Sequence, residues 1–163
     1  MIHLYWGDGK GKTTAAMGLA LRALGHGLRV TVVQFLKDGS SGEIAPLRTL
    51  GAAVFTAPCA RFTWQMDEAD RLHTRAQAGE LLRRATERPC DLLLLDEACG
   101  ICSAGLLDET LLRQAIAAAQ GDVVLTGRDP AAWMRQCADY STELRAERHP
   151  YDKGVAARPG IEF

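Results

Sequence analysis

Ile2-His3-Leu4-Tyr5-Trp6-Gly7-Asp8-Gly9-Lys10-Gly11-Lys12-Thr13-Thr14, followed by an Ala/Leu-rich stretch from Ala15, is the passage that decides the fold. An apolar run, a glycine-rich loop ending in Lys-Thr-Thr and a helical pattern succeed one another, which is the order of a loop that binds a triphosphate. Each residue type has a physical task there. Glycines let backbone N–H groups come close to phosphate oxygens, and the helix after the loop turns the positive end of its dipole toward the same charge. Lys12 supplies a point charge and Thr13 a hydroxyl that can ligate Mg²⁺. Gly7, Asp8, Gly9, Lys10, Gly11, Lys12, Thr13 and Thr14 are therefore the expected nucleotide-binding set. The spacing departs from the usual one: Gly7 and Gly11 enclose three residues instead of four, and Trp6 stands where glycine is expected. The shorter loop argues for phosphate binding more strongly than for γ-phosphate hydrolysis. A glycine-rich turn without a ligand is the bland alternative, and the flanking strand and helix signals speak against it.

Outward from this passage, β-type runs recur at Ile2 to Trp6, Arg29 to Phe35, Ala52 to Thr56, Leu92 to Leu95, Val123 to Thr126 and, weakly, Tyr140 to Glu147, with helical segments between most of them. Leu92-Leu93-Leu94-Leu95 and Val30-Thr31-Val32-Val33 are continuous apolar runs, as central strands buried on both sides require. The expected fold is α/β and P-loop NTPase-like: a mostly parallel central sheet with helices on both faces, in a single domain over 1–163. Ala69, Leu72, Ala76, Gly79, Leu82 and Ala85 recur at helical spacing and predict a helix over 67–87 with that stripe on the sheet. A second helix is predicted from Asp108 to Gln120, with Asp108 as N-cap and Gly121 past its end. Lys37 to Gly42 reads as a mobile loop.

The chain has 163 residues, 47% apolar and 24% charged, with a net charge of −1 and a pI near 6.4. That balance gives no electrostatic footprint for nucleic acid or an acidic membrane. No segment reads as a secretion signal or a membrane span, so a cytoplasmic location is expected. The cysteines Cys59, Cys90, Cys99, Cys102 and Cys137 form an odd set, which favours reduced thiols over a disulfide framework. Cys99 and Cys102 have no second pair or histidine cluster beside them in sequence and read as small buried residues rather than metal ligands.

In open parallel sheets ligands sit outside the carboxyl ends of the strands, so the residues just after each apolar run are the functional candidates. They are the phosphate loop, Gln34 to Lys37, Asp96-Glu97 and Thr126-Gly127-Arg128. Asp96-Glu97 follows four leucines, where an acid can reach a Mg²⁺ held by the triphosphate and Thr13, or can merely end a strand. Arg128 either neutralises phosphate or pairs with Asp129. Phe62 and Trp64 flank Thr63 in a stretch without periodicity, which suits ligand contact, with core packing as the alternative.

Several segments, taken in order, resemble the corrinoid adenosyltransferases. These are Gly7 to Ala16, Leu21-Arg22-Ala23-Leu24-Gly25-His26-Gly27, Gln34-Phe35, Phe62-Thr63-Trp64, Leu95-Asp96-Glu97, Thr126-Gly127-Arg128, His149-Pro150 and Gly160-Ile161-Glu162-Phe163. That family transfers the 5′-deoxyadenosyl group of ATP to the cobalt of a reduced corrinoid, cobalamin or a precursor, and shows the same shortened loop. The resemblance implies ATP and the corrinoid as substrates, Mg²⁺ on Thr13 and Glu97 with Asp96 as a further candidate, and Lys12, Thr13 and Glu97 in catalytic positions. It also implies that Arg22 and Arg128 reach the nucleotide, that Phe62 and Trp64 contact the corrin and displace its lower axial base, and that the chain works as a homodimer with a flavoprotein or other reductant. Arg22 by itself reads as a helix surface charge. Many family members carry an N-terminal extension whose helix covers the active site, whereas this sequence opens on its first strand. Solvent exclusion is then expected from another segment, such as the 37–45 loop, or activity is lower or depends on a partner. Pro159 stands where a basic residue is common. A P-loop ATPase or small-molecule kinase, and a non-catalytic corrinoid or nucleotide carrier, are the competing readings.

Overall fold

The computed structural model describes residues 1–57 and 63–162. Six strands, β1 (Ile2–Trp6), β2 (Val30–Gln34), β3 (Ala53–Thr56), β4 (Leu92–Asp96), β5 (Asp122–Gly127) and β6 (Tyr140–Glu143), form one sheet in the order β3-β2-β4-β5-β1-β6. Every adjacent pair is parallel, which makes the sheet wholly parallel. Neighbouring side chains of a strand point to opposite faces, and both faces here are covered. Leu92 and Leu94 enter the layer beneath α1 (Lys12–Gly25) and α2 (Ile44–Thr49). Leu93 and Leu95 enter the opposite layer, with α3 (Glu68–Thr86), α4 (Ala98–Ser103), α5 (Glu109–Ala118) and α6 (Ala132–Cys137). Each such buried leucine stabilises the fold by about 1.5–3 kcal/mol relative to an exposed one, which is why the run carries no polar residue until its end.

The strand that feeds the glycine loop lies inside the sheet. β1 pairs with β5 on one side, Ile2 opposite Val123 through Trp6 opposite Gly127, and with β6 on the other. β6 is an exposed edge of four residues. It stops at Glu143 rather than continuing to Glu147, because the carbonyl of Leu144 accepts a hydrogen bond from Gly9 N–H at 2.8 Å.

α3 is capped by Asp67, whose side chain accepts from the N–H of Asp70. Its packing face differs from the expected stripe: Ala78, Leu81, Leu82 and Ala85 are buried, whereas Leu72 is 65% exposed. The sheet covers only the second half of this helix, so the apolar spacing of its first half has no surface to meet. α5 follows the sequence expectation closely, with the Asp108 carboxylate accepting from the N–H groups of Thr110 and Leu111. The helices α2, α4 and α6 span six residues each, under two turns, too short for a 3.6-residue period to repeat. No helix among the described residues is long and apolar enough to cross a membrane.

Candidate active site

The loop after β1 is moulded against a second segment of chain. Gly7 has φ 114° and a Cβ there would lie 2.3 Å from the carbonyl oxygen of Leu144; at Gly9 a Cβ would meet the backbone of Leu144 and Arg145 within 2.8 Å. No side chain fits at either place, so these glycines serve close packing of the loop as much as access for phosphate. The Asp8 carboxylate accepts from Ala146 N–H at 3.2 Å, which ties the loop's outer side to the same segment. Gly11, also left-handed at φ 112°, turns the chain into α1. Lys12 donates to the carbonyl of Gly9 at 2.7 Å, folding its ammonium back over the loop.

At the ends of β2, β4 and β5 the chain builds a polar cluster inside an otherwise apolar sheet. Asp96 is 0% exposed and sits at its centre. Its Oδ1 accepts from Thr13 Oγ1 at 2.9 Å and from Thr126 Oγ1 at 2.7 Å. Its Oδ2 accepts from Lys37 Nζ at 2.7 Å and from Gln34 Nε2 at 3.3 Å. Lys37 Nζ also donates to Thr13 Oγ1 at 3.0 Å. The four donors satisfy a carboxylate buried away from water, and it fixes their geometry in turn.

Glu97 takes a different direction from its neighbour because its own backbone is left-handed, φ 61°. Its N–H donates to Thr126 Oγ1 at 2.9 Å and its Oε2 lies over Gly100, where a Cβ would be 3.2 Å away. Burial, together with Asp96, raises its carboxyl above the ordinary glutamate range, while Lys37, Lys12 and Arg128 pull the other way. Lys12 is lowered by burial, against the attraction of Glu97. Lys12, Lys37, Asp96, Glu97 and Arg128 thus share one electrostatic neighbourhood.

Oxygen donors of this kind suit Mg²⁺. Thr13 Oγ1, the Asp96 carboxylate and Glu97 could hold such an ion, and two features fit it. An ammonium already bridges Thr13 and Asp96 as a stand-in cation. Gln34 Oε1 is buried with no hydrogen-bond partner among the described residues, an acceptor suited to a water on the metal.

The other expected site residues fall in different places. Arg128 is exposed just beyond β5, Lys10 is exposed on the loop, and Thr14 is exposed in the first turn of α1. Arg22 is exposed on α1, about 15 Å of helix rise from Lys12, outside the phosphate cluster. Trp64 lies in the 3₁₀ turn Thr63–Gln65 and is 76% exposed. Phe62 and Cys59 lie outside the described residues. Beside Thr13 and Thr14 opens a cavity of about 860 Å³, walled by α1, the 37–43 segment, α2 and Gly160 to Glu162. Sequence reasoning singled out the stretches holding Gln34, Lys37 and Thr126 without giving these residues a role; their place at strand ends was the available signal. Nothing in the sequence marked Leu144 to Ala146 as the wall of the loop.

Cys99 is fully buried in α4 against Gly127, where a Cβ would meet Cys99 Cβ at 2.8 Å. Burial pushes its thiol up to about 12 and that of Cys102 up to about 11. A raised thiol keeps its proton in the folded protein, so stability from the neutral form is complete below the ordinary thiol value, declines as pH rises above that value, and is gone once pH has passed the folded values of about 11 and about 12. Cys99 is therefore expected to be alkylated by iodoacetamide at about pH 8 roughly 10³-fold more slowly in the native protein than in urea, the ratio of thiolate fractions. Peptide mass spectrometry over time measures it, and equal rates would show the packing to be open.

A wholly parallel sheet, a glycine loop between β1 and α1 and a buried aspartate at the end of β4 define an α/β protein of the P-loop NTPase-like class. Comparison with known proteins narrows the class. Residues 1–163 match the family described as ATP:corrinoid adenosyltransferase BtuR/CobO/CobP. The chain is 36% identical over 168 residues to the corrinoid adenosyltransferase of Escherichia coli K12, covering all of this chain and 85% of that one. The Salmonella typhimurium corrinoid adenosyltransferase CobA gives the same identity and coverage. The Pseudomonas aeruginosa corrinoid adenosyltransferase is 34% identical over 169 residues, with 83% of its length covered. The chain belongs to the corrinoid adenosyltransferase family and is a transferase.

Proposed function

We propose that the protein transfers the 5′-deoxyadenosyl group of ATP to the Co(I) of a reduced corrinoid, cobalamin or a precursor, and releases triphosphate. The observation that carries this reading is the convergence of Lys12, Thr13, Asp96, Glu97 and Arg128 at one end of the sheet, in a chain that matches the family from end to end. In the reaction the cobalt lone pair forms a bond to C5′ while the C5′–O bond breaks, and its electron pair leaves with the triphosphate. No proton moves, so no general base is required. The protein's work is to position the two substrates and to meet the charge growing on the leaving oxygen. Lys12, the loop N–H groups and Arg128 do so directly, and Thr13, Asp96 and Glu97 are the residues that would hold Mg²⁺. When bound, that ion neutralises part of the triphosphate charge. The cavity beside Thr13 and Thr14 has the volume of a small-molecule site.

Phe62 and Trp64 are assigned to the corrinoid. Displacing the lower axial base leaves a four-coordinate Co(II) that is easier to reduce, and an exposed tryptophan, two residues along the sequence from a second aromatic, is suited to that contact. Alanine at either position is expected to slow Co(II) reduction by at least about tenfold, some 1.4 kcal/mol, with ATP affinity essentially unchanged. Reduction followed in the corrinoid spectrum, beside nucleotide binding by calorimetry, separates the two effects. Equal loss of ATP affinity would mark both residues as structural. A homodimer, a flavoprotein or other electron donor, and a cytoplasmic location complete the reading.

Anaerobic incubation with Mg²⁺-ATP and chemically reduced cobalamin tests the whole. A light-sensitive adenosylated corrinoid with inorganic triphosphate is the expected result. Orthophosphate without a spectral change would replace the reading with that of an ATPase, and absence of any product with that of a carrier.

A further inference from the structure

Lys37 stands just beyond the end of β2, after a residue with a left-handed backbone, Leu36 at φ 56°. That turn brings its ammonium back onto the strand ends, 3.0 Å from Thr13 Oγ1 and 2.7 Å from Asp96 Oδ2. The Thr13 hydroxyl spends its hydrogen on Asp96 Oδ1, so the lone pairs facing Lys37 are those a divalent ion would take. Mg²⁺ draws its oxygen ligands to about 2.0–2.1 Å, closer than any ammonium contact, and cannot share this pair of oxygens with another cation. Lys37 is not locked in place. Its side chain is 27% exposed, and the residues that follow, Asp38, Ser40 and Ser41, line the cavity that Thr13 and Thr14 also line.

We propose that Lys37 is a resident cation that fills the metal position of the ligand-free protein and is displaced when Mg²⁺ arrives with the nucleotide. The inference rests on the reading of Thr13 and Asp96 as metal-holding residues. Displacement moves the 37–43 segment, which forms one wall of the cavity, so loading of the metal and shaping of the substrate site become a single event. Before loading, the ammonium keeps the buried Asp96 carboxylate neutralised. Lys37 is thus a positioning residue, acting through Thr13 and Asp96 rather than on the reacting atoms.

The test is a Mn²⁺ titration, followed by electron paramagnetic resonance, of protein saturated with a non-hydrolysable ATP analogue. A site blocked nine-tenths of the time binds metal about tenfold more weakly than an open one, so Lys37→Met is expected to bind Mn²⁺ about tenfold more tightly than wild type. Lys37→Arg keeps a displaceable cation and should stay near wild type. Added ethylammonium should weaken Mn²⁺ binding to Lys37→Ala and leave wild type unaffected, a readout that a merely structural lysine would not give. Equal or weaker Mn²⁺ binding by Lys37→Met, with no ethylammonium effect on Lys37→Ala, would overturn the inference and leave the metal reading standing. If Lys37→Met fails to fold, the Lys37→Ala competition decides alone. Absence of Mn²⁺ binding by the wild type would overturn both.

Discussion

Lys12→Ala is expected to lower kcat by about 10²–10³, the usual cost of removing one preorganised donor from developing charge. In the ligand-free protein the Lys12 ammonium is folded over the loop onto the Gly9 carbonyl at 2.7 Å, with Glu97, Arg128, Asp8 and Lys37 in its field. Partial burial already disfavours its charged form, so a polyanion in the loop would stabilise that form and be stabilised by it. The leaving triphosphate carries more negative charge in the transition state than ATP does at the same oxygen, so the loss should fall on kcat more than on KM for ATP. Steady-state rates with cobalamin as acceptor, normalised to the folded fraction of each protein, measure it. Full activity in Lys12→Ala would remove the loop from the chemistry.

Asp96→Ala is expected to act on the fold itself. Four donors, from Thr13, Thr126, Gln34 and Lys37, converge on this one buried carboxylate. Removing the shared acceptor of a buried ion pair costs about 3–5 kcal/mol, most of it from groups left without partners. Lys37 can swing toward water, since its side chain is 27% exposed, which places the effect near the lower figure. For a chain of this size about 3 kcal/mol corresponds to a melting temperature lower by roughly 6–12 °C. Thermal unfolding without metal or nucleotide checks it; a melt within about 2 °C of wild type would show that the donors find other partners. Asp96→Asn, which keeps an acceptor and the volume, should lose less.

The sheet was readable where burial leaves the chain no choice. β2, β4 and β5 are buried on both faces and β1, half-buried around a buried Leu4, runs between two strands, so their limits differ from the sequence reading by a residue or so. β6 was faint because an exposed edge strand has no burial pattern to impose, and its end is set by a contact with Gly9 that lies far away in sequence. The stripe on α3 misled because periodicity reports what a helix can bury, not how much sheet lies under it: Leu72 has the spacing and no surface to meet. Within the site, the glycine loop and Asp96-Glu97 were visible from local composition. The lysine bridge was not, because it depends on the left-handed turn at Leu36, a conformation for which leucine gives no signal. Nor was the divergence of Asp96 from Glu97, adjacent in sequence yet turned apart by φ 61° at the second of them.

The place of β1 in the sheet has a further consequence, for the birth of the protein. The loop's sequence leaves the ribosome before the strands on both sides of β1, which are β5 and β6, and before the Leu144 to Ala146 segment that shapes the loop. Until those segments are made the nascent chain carries the motif without the site, and ligand cannot steer its folding. A message cut short before β5 would yield a polypeptide with the signature of a nucleotide-binding loop and no capacity to hold a nucleotide, its β1 left with neither of its sheet neighbours and open to chaperones or to aggregation.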